Sequence, residues 1–372
     1  MDDSDVSGVA GLLTVGHRLR VLARYTRLGA SSRLRTFQYA PWLENAGFAV
    51  EYLPFFDDAY LKLLYEGERS SVRTLRYFYR RVQALRRLPA PDVVWLEYEA
   101  LPWAPWAVEK LLWPSVPVVS DYDDAVFHRY DQHESGLVRQ LLGRKVGRVM
   151  DASRLVTAGN AYLARHAVAA GASVVEVVPT VVDLDRYSVR SRAARAQATV
   201  GWVGTPQTWK ELGQPIHSVI LPVLKAQGVV FRAIGAAMAP WAGEHLRLVP
   251  WSEEDEVELI RSLDIGIMPL PDTPWTRGKC GYKLIQYMAC GLPVIASPVG
   301  VNTSIVEHGV TGFLAETEDE WREALATLLA DPELRQRMGE AGRKKVEAEY
   351  SLQVWGPRVA SMLMQVLERE SP

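Results

Sequence analysis

At 372 residues the chain exceeds one typical hydrophobic core, so two domains are expected. Apolar residues make up 48% and charged residues 23%, a balance that excludes a disordered or fibrous chain. A net charge of −2 provides no general field for nucleic acid, and no run of eighteen apolar residues offers a membrane span.

The opening Met1-Asp2-Asp3-Ser4-Asp5 is acidic where a secretory leader would be basic, so a cytoplasmic protein is expected. Residues 1–17 fit no element and read as a loose extension. Cys280 and Cys290 have no His or Cys partner at metal spacing, which argues for reduced thiols and against a zinc site.

Short β-rich runs then alternate with amphipathic stretches. Residues 20–23 read as a first strand, leading through the small polar loop 26–32 into a helix that ends near Gly47. Further strands are expected at 48–53, 92–97, 116–120, 154–158 and 174–178, with helices at 70–87 and 136–150 among them. Strands separated by helices imply parallel pairing. The polar stretch 184–197 has no clean periodicity and reads as a linker. The alternation restarts with strands at 198–203 and 229–234. Ser252 and Asp255 make a capping pattern before a helix, and 264–268 reads as a buried strand. A helix over 281–290 stops at Gly291-Leu292-Pro293 before the strand 294–296. Thr317 and Asp331 open two more helices. The expected fold class is therefore α/β, with two doubly wound parallel sheets in tandem and a ligand cleft at their carboxyl ends.

Two segments of the second unit carry chemistry. Gly204-Thr205-Pro206-Gln207-Thr208-Trp209-Lys210 follows a strand and opens a helix, so its amides, helix start and Lys210 suit an anion such as a diphosphate. An ordinary loop with a solvated lysine is the plainer alternative. In the second segment, Arg277, Lys279 and Lys283 crowd a helix start whose dipole disfavours cations. A bound polyphosphate would remove that conflict; a solvated basic turn is the alternative.

The stretch Gln286-Tyr287-Met288-Ala289-Cys290-Gly291-Leu292-Pro293-Val294-Ile295-Ala296 resembles the donor-site signature of the family 4 retaining glycosyltransferases, whose GT-B fold is two facing Rossmann-like domains. The diphosphate loop at Gly201–Lys210, the turn Glu307–Leu314 and Pro179-Thr180-Val181-Val182-Asp183 are also similar to that family's motifs. The resemblance implies an acceptor domain at 1–186, a nucleotide-sugar donor domain at 187–351, and a helix at 352–372 crossing back to the first domain. It implies a UDP- or GDP-linked sugar as co-substrate and no resident cofactor. The donor side would comprise Gly29, Gly204, Thr205, Lys210, Lys279, Gly281, Tyr282, Lys283 and Gln286. Two departures stand out: Gln286 replaces the glutamate that holds the donor ribose, and Gly278 replaces the first acidic residue of the signature. Thr205 also stands where an arginine is common.

In the first unit, Asp121, Asp123, Asp124 and His128 follow an expected strand and would form the acceptor side that the resemblance implies. Asp123 occupies the place of a family histidine near the acceptor hydroxyl and is the expected catalytic carboxylate, beside Lys210 and Lys283. Solvated acids in a capped turn are the alternative. Asp121-Tyr122-Asp123 also matches the short D-x-D metal motif of the GT-A fold, but the tandem layout speaks against metal dependence. The acceptor expected from the resemblance is a saccharide or a lipid-linked hydroxyl. The Trp-rich run 101–114 and the arginines at 73, 76, 80, 81, 86 and 87 suit peripheral contact with an anionic membrane, core packing being the alternative. A nucleotide-sugar 2-epimerase and a non-catalytic nucleotide-binding subunit are the competing classes.

Overall fold

The computed structural model describes residues 16–66, 71–189, 198–236 and 244–368. Most of the expected extension (1–15) and of the expected linker (190–197) lies outside the described residues.

Two six-stranded parallel sheets form the frame. The first comprises β1 (His17–Leu22), β2 (Phe48–Tyr52), β3 (Val93–Glu97), β4 (Val118–Tyr122), β5 (Leu155–Ala158) and β6 (Val175–Val177), in the order β2-β1-β3-β4-β5-β6. The second comprises β7 (Val200–Val203), β8 (Phe231–Ile234), β9 (Leu246–Val249), β10 (Ile265–Met268), β11 (Val294–Ala296) and β12 (Gly312–Leu314), in the order β12-β11-β10-β7-β8-β9. The α/β class expected from the sequence is the one observed. Central strands such as β3 (VVWLE) are buried along their whole length because helices cover both faces of a parallel sheet.

Three local expectations are corrected. β4 starts at Val118 rather than 116, since Pro117 cannot donate to the ladder, and runs to Tyr122 rather than stopping at 120, since Asp121 and Tyr122 pair with Thr157 and Ala158 of β5. Asp121 and Tyr122 thus lie within the sheet instead of beyond it. The helix expected at 136–150 is two, Gly136–Leu142 and Lys145–Ala152, interrupted at Gly143, a poor helix former. A helix at Asp58–Glu66 precedes the expected one, which spans Ser71–Arg86.

Strand order switches direction between β1 and β3 in one sheet and between β7 and β10 in the other. Crevices open at such points, outside the carboxyl ends of the strands. The final helix, Leu352–Glu368, returns to the first domain, where Leu352, Val359, Ala360, Leu363 and Val366 join one core cluster with Leu19, Val21, Trp95 and Val119. Each buried Val or Leu of this stripe contributes about 1.5–3 kcal/mol, enough to anchor the helix.

Candidate active site

β7 ends at Val203, and Gly204-Thr205 turn the chain into the helix Pro206–Pro215. Thr205 Oγ1 accepts from the Thr208 amide at 3.3 Å, one of the donors a helix start leaves open. A Cβ on Gly204 would lie 2.4 Å from the Trp202 ring and 3.0 Å from Lys283 Cε, so a side chain there would collide with the ring and crowd the lysine. Lys283 reaches this spot from the start of the helix Tyr282–Ala289, its Nζ 5.5 Å from the centre of the Trp202 ring. Gly281 turns into that helix at φ 64, in the left-handed region that glycine tolerates. A cation and two glycine-bearing turns thus meet at the switch point. Lys210, one turn into its own helix, is exposed.

Beneath this turn, Gln286 is 2% exposed and donates from Nε2 to Tyr187 Oη at 2.7 Å. Tyr187 donates to Glu256 Oε2 at 2.8 Å, and Trp251 Nε1 donates to Glu256 Oε1 at 3.0 Å. Tyr282 Oη is 3.4 Å from Tyr187 Oη. Burial pushes both phenols up, so they stay neutral hydrogen-bond partners.

Among the described residues, several contacts join the domains across the cleft. Glu253 lies 3.5 Å from Arg27, 3.6 Å from Arg33 and 3.5 Å from Arg186, with Arg33 also over the Trp251 ring. Asn160 Nδ2 donates to the carbonyls of Gly278 and Lys279 at 2.9 and 3.1 Å. Cys280 Sγ donates to the Asp123 carbonyl at 3.0 Å. A Cβ on Gly278 would come 2.5 Å from that of Ala125, so in this arrangement the domains meet where only glycine fits. That contact is a physical reason for the missing acidic residue. Lys279 crosses the cleft, its Nζ 3.8 Å from Asp124, while Arg277 is forked onto Asp272 at 2.6 and 2.8 Å.

On the first-domain wall, Gly29 caps the helix Ala30–Arg35, which brings Ser31 to the ends of β3 and β4. Ser31 Oγ is 2.9 Å from Glu97 Oε1, 2.9 Å from Tyr98 Oη and 2.9 Å from Asp123 Oδ1. Tyr98 donates to Asp123 as well. Burial, with the neighbouring Asp124 adding to it, pushes the Asp123 carboxyl up to about 7. Burial also raises Glu97.

The expected residues therefore divide. Gly204, Thr205, Gly281, Tyr282, Lys283 and Gln286 gather at the second domain's switch point, with Lys210 on the solvent side of that helix. Gly29, Asp123, Asp124 and Lys279 gather at the first-domain wall. Asp121, expected on the acceptor side, is instead 1% exposed and clasped by Arg35 through Nε at 2.9 Å and Nη2 at 2.6 Å. Its place in β4 gives it to the core. The same clasp occupies both Asp121 oxygens. His128 is engaged by Asp131 at 2.8 Å and Tyr162 at 2.8 Å, away from the carboxyl cluster it was expected to join. Sequence reasoning missed Ser31, Glu97, Tyr98, Tyr187 and Glu256; a carboxylate ending the apolar run Val93–Leu96 was the one signal for Glu97. A cavity of about 870 Å³ opens beside Asn160, Tyr162, Arg165, Val299, Trp355 and Arg358, and neither Lys283 nor Asp123 lines it.

Residues 242–345 match the family model described as glycosyl transferases group 1. A GDP-mannose-dependent monoacylated α-(1-6)-phosphatidylinositol monomannoside mannosyltransferase of Corynebacterium glutamicum is 36% identical over 118 residues, covering 30% of each chain. The match thus spans under a third of that relative's length. Among solved structures, sucrose-phosphate synthase from Thermosynechococcus elongatus superimposes with a TM-score of 0.72 at 14% identity, covering 95% of this chain and 100% of that one. Anabaena HepE in complex with UDP-glucose gives 0.66 at 16% identity, covering 94% and 99%. Residues 242–345 therefore match the group 1 glycosyl transferase model, and the chain has the GT-B fold of these solved glycosyltransferases.

Proposed function

We propose that the chain is a retaining, metal-independent hexosyltransferase, moving a sugar from a UDP- or GDP-linked donor to a hydroxyl of a saccharide or lipid-linked acceptor in cell-surface glycoconjugate synthesis. The observation that carries this reading is the opposition of two walls. Lys283 beside the Gly204 turn suits a diphosphate, and across the Gly278–Ala125 contact stands a hydrogen-bonded carboxyl, Asp123. In the transfer, the acceptor oxygen bonds to the anomeric carbon as the bond from that carbon to the diphosphate breaks. The electron pair leaves on the diphosphate, where Lys283 and Lys210 offset its charge, and the hydroxyl proton passes to Asp123. Closure at Gly278, Asn160 and Cys280 keeps water from the donor. A donor of the nucleoside-diphosphate type is supported by HepE, solved with UDP-glucose, and by the GDP-mannose-dependent relative.

Peripheral membrane contact belongs to the same reading. Trp103 is 50% and Leu111 84% exposed, and Arg76, Arg86 and Arg87 are exposed nearby in sequence. Arg81 takes no part, since it turns inward and donates to the Ala23 carbonyl at 2.6 Å. Trp106 and Trp113 pack on each other. Among the described residues no helix is long and apolar enough to cross a membrane.

One observation favours a non-catalytic nucleotide-binding subunit: Gly278 leaves the donor sugar without the family's acidic contact. A panel of UDP-, GDP- and ADP-sugars screened by thermal shift, with and without EDTA, followed by product analysis with and without acceptors, tests the proposal. A metal-independent shift with one nucleotide class and acceptor-dependent transfer are expected. Binding without transfer would favour the subunit, conversion without acceptor an epimerase, and an EDTA-sensitive shift would overturn metal independence.

A further inference from the structure

The carboxyl ends of β1, β3 and β4 draw two carboxyls and two hydroxyls into one cluster. Ser31 Oγ lies within 3.0 Å of Glu97 Oε1, Tyr98 Oη and both Asp123 oxygens. A serine hydroxyl donates one hydrogen and accepts two. Tyr98 spends its own hydrogen on Asp123. Ser31 therefore serves one carboxyl, and the other meets an oxygen lone pair unless it carries a proton itself. With both carboxyls ionised, that contact is repulsive in a poorly solvated place. One proton on the pair places a hydrogen in every carboxyl contact: Glu97 donates to Ser31, and Ser31 and Tyr98 donate to Asp123.

The nearby cations are held by other partners, and the pull of Arg35 on Asp123 is outweighed by burial and by Asp124. Arg35, on the helix that carries Ser31, is committed to Asp121 of β4. Lys279 of the second domain faces Asp124, and the Cys280 thiol donates to the Asp123 carbonyl. Burial pushes that thiol up, so it adds no charge. The second Glu97 oxygen accepts from Ser32 Oγ at 2.6 Å and the Arg24 amide at 2.7 Å. Arg24 and Arg81, from β1's end and the helix Ser71–Arg86, form no ion pair with Glu97 or Asp123. Tyr98 is held at φ 64, a left-handed conformation costly for tyrosine, by its amide's bond to the Asp121 carbonyl at 3.0 Å. Glu99, next in the chain, is fixed by Lys145 at 2.5 Å and by Tyr130 at 2.7 Å.

We propose that Glu97 and Asp123 form one proton-sharing pair bridged by Ser31, in which Glu97 keeps the proton and holds Asp123 ready to receive the hydrogen of the acceptor hydroxyl. This rests on the transferase reading above. The acceptor O–H breaks, its proton goes to Asp123, and its electrons form the bond to the anomeric carbon while the diphosphate leaves with the old pair. Asp123 is the catalytic residue; Glu97, Ser31 and Tyr98 are positioning residues. The raised Asp123 and Glu97 carboxyls agree with the geometry.

Difference infrared spectroscopy across pH reads protonated carboxyls without turnover. In the wild type, a carboxyl that loses its proton near neutrality is expected. In E97Q or D123N, the remaining partner should titrate about one pH unit or more lower, because a neighbouring carboxyl no longer opposes its ionisation. Since the side chain introduced by E97Q is neutral like the protonated Glu97, this variant should keep the acid limb of kcat/KM and lose the near-neutral alkaline limb at which Glu97 gives up its proton, whereas a merely structural role would lower the rate at every pH and leave both limbs in place. If E97Q does not fold, S31A serves, since removing the bridge should separate the two titrations. Wild-type carboxyls all ionised by about pH 5, or a titration unmoved in E97Q and S31A, overturn the pair. A wild type that shows the shared proton yet transfers nothing upholds the pair and overturns the transferase reading.

Discussion

Removing the Asp121 carboxylate should cost stability before it costs function. Both of its oxygens are taken by the Arg35 fork, and Thr157 Oγ1 adds a third bond at 2.6 Å. Each side chain of the pair is 1% exposed. Burial alone would weaken the charge on Arg35, but Asp121 overrides it and holds the guanidinium firmly cationic. In Asp121→Ala that cation stays buried, with the Val178 carbonyl at 2.8 Å as its main remaining partner. Stranding one member of a buried pair costs about 3–5 kcal/mol. At roughly 2–4 °C per kcal/mol for a domain of this size, the first melting transition should fall by about 6–20 °C. Calorimetry of the intact chain is the assay, with the double variant Arg35→Met/Asp121→Leu as the control. An apolar pair of similar volume should recover most of the loss, since the desolvation penalty disappears with both charges. A loss under about 1 kcal/mol, together with a raised acceptor KM, would refute the core role and return Asp121 to the acceptor side.

Lys283→Ala should lower kcat/KM by about 10²–10³-fold, the effect of removing one preorganised group from a growing charge. Lys210→Ala should also lower turnover strongly; near wild-type kinetics in either variant would remove that lysine from the proposal. Gly278→Ala puts a methyl 2.5 Å from the Ala125 Cβ, so the domains should part or strain by about 1–3 kcal/mol. Small-angle scattering checks this, and an unchanged radius of gyration with unchanged stability would show that the contact is not formed in solution.

The two-domain α/β frame was legible because it rests on local pattern. Strands such as Val93–Glu97 and Ile265–Met268 are short apolar runs bounded by breakers, and the capping boxes at Thr317 and the cap at Asp331 announce their helices with side chains three residues from their targets. Gly204 and Lys283 were legible by motif, since the spacing of glycine, cation and helix start is itself local. The carboxyl cluster was not. Ser31, Glu97 and Asp123 are separated by 66 and 92 positions counted from Ser31, and only the pairing of β1 with β3 and β3 with β4 brings them together. Gln286 and Tyr187 lie 99 apart, Tyr187 in a stretch whose polarity reads as linker. Even the extent of β4 was a tertiary matter: two residues of extra ladder moved Asp121 from an expected cleft into the core, onto an arginine 86 positions away. The sequence by itself determined most of the elements and the glycine-bearing turns at Gly204 and Gly281, because hydrophobic periodicity and capping act within a few residues. The tertiary structure alone decided which carboxylates face the cleft and which serve the fold, because burial and charge pairing depend on neighbours that the chain supplies from far away.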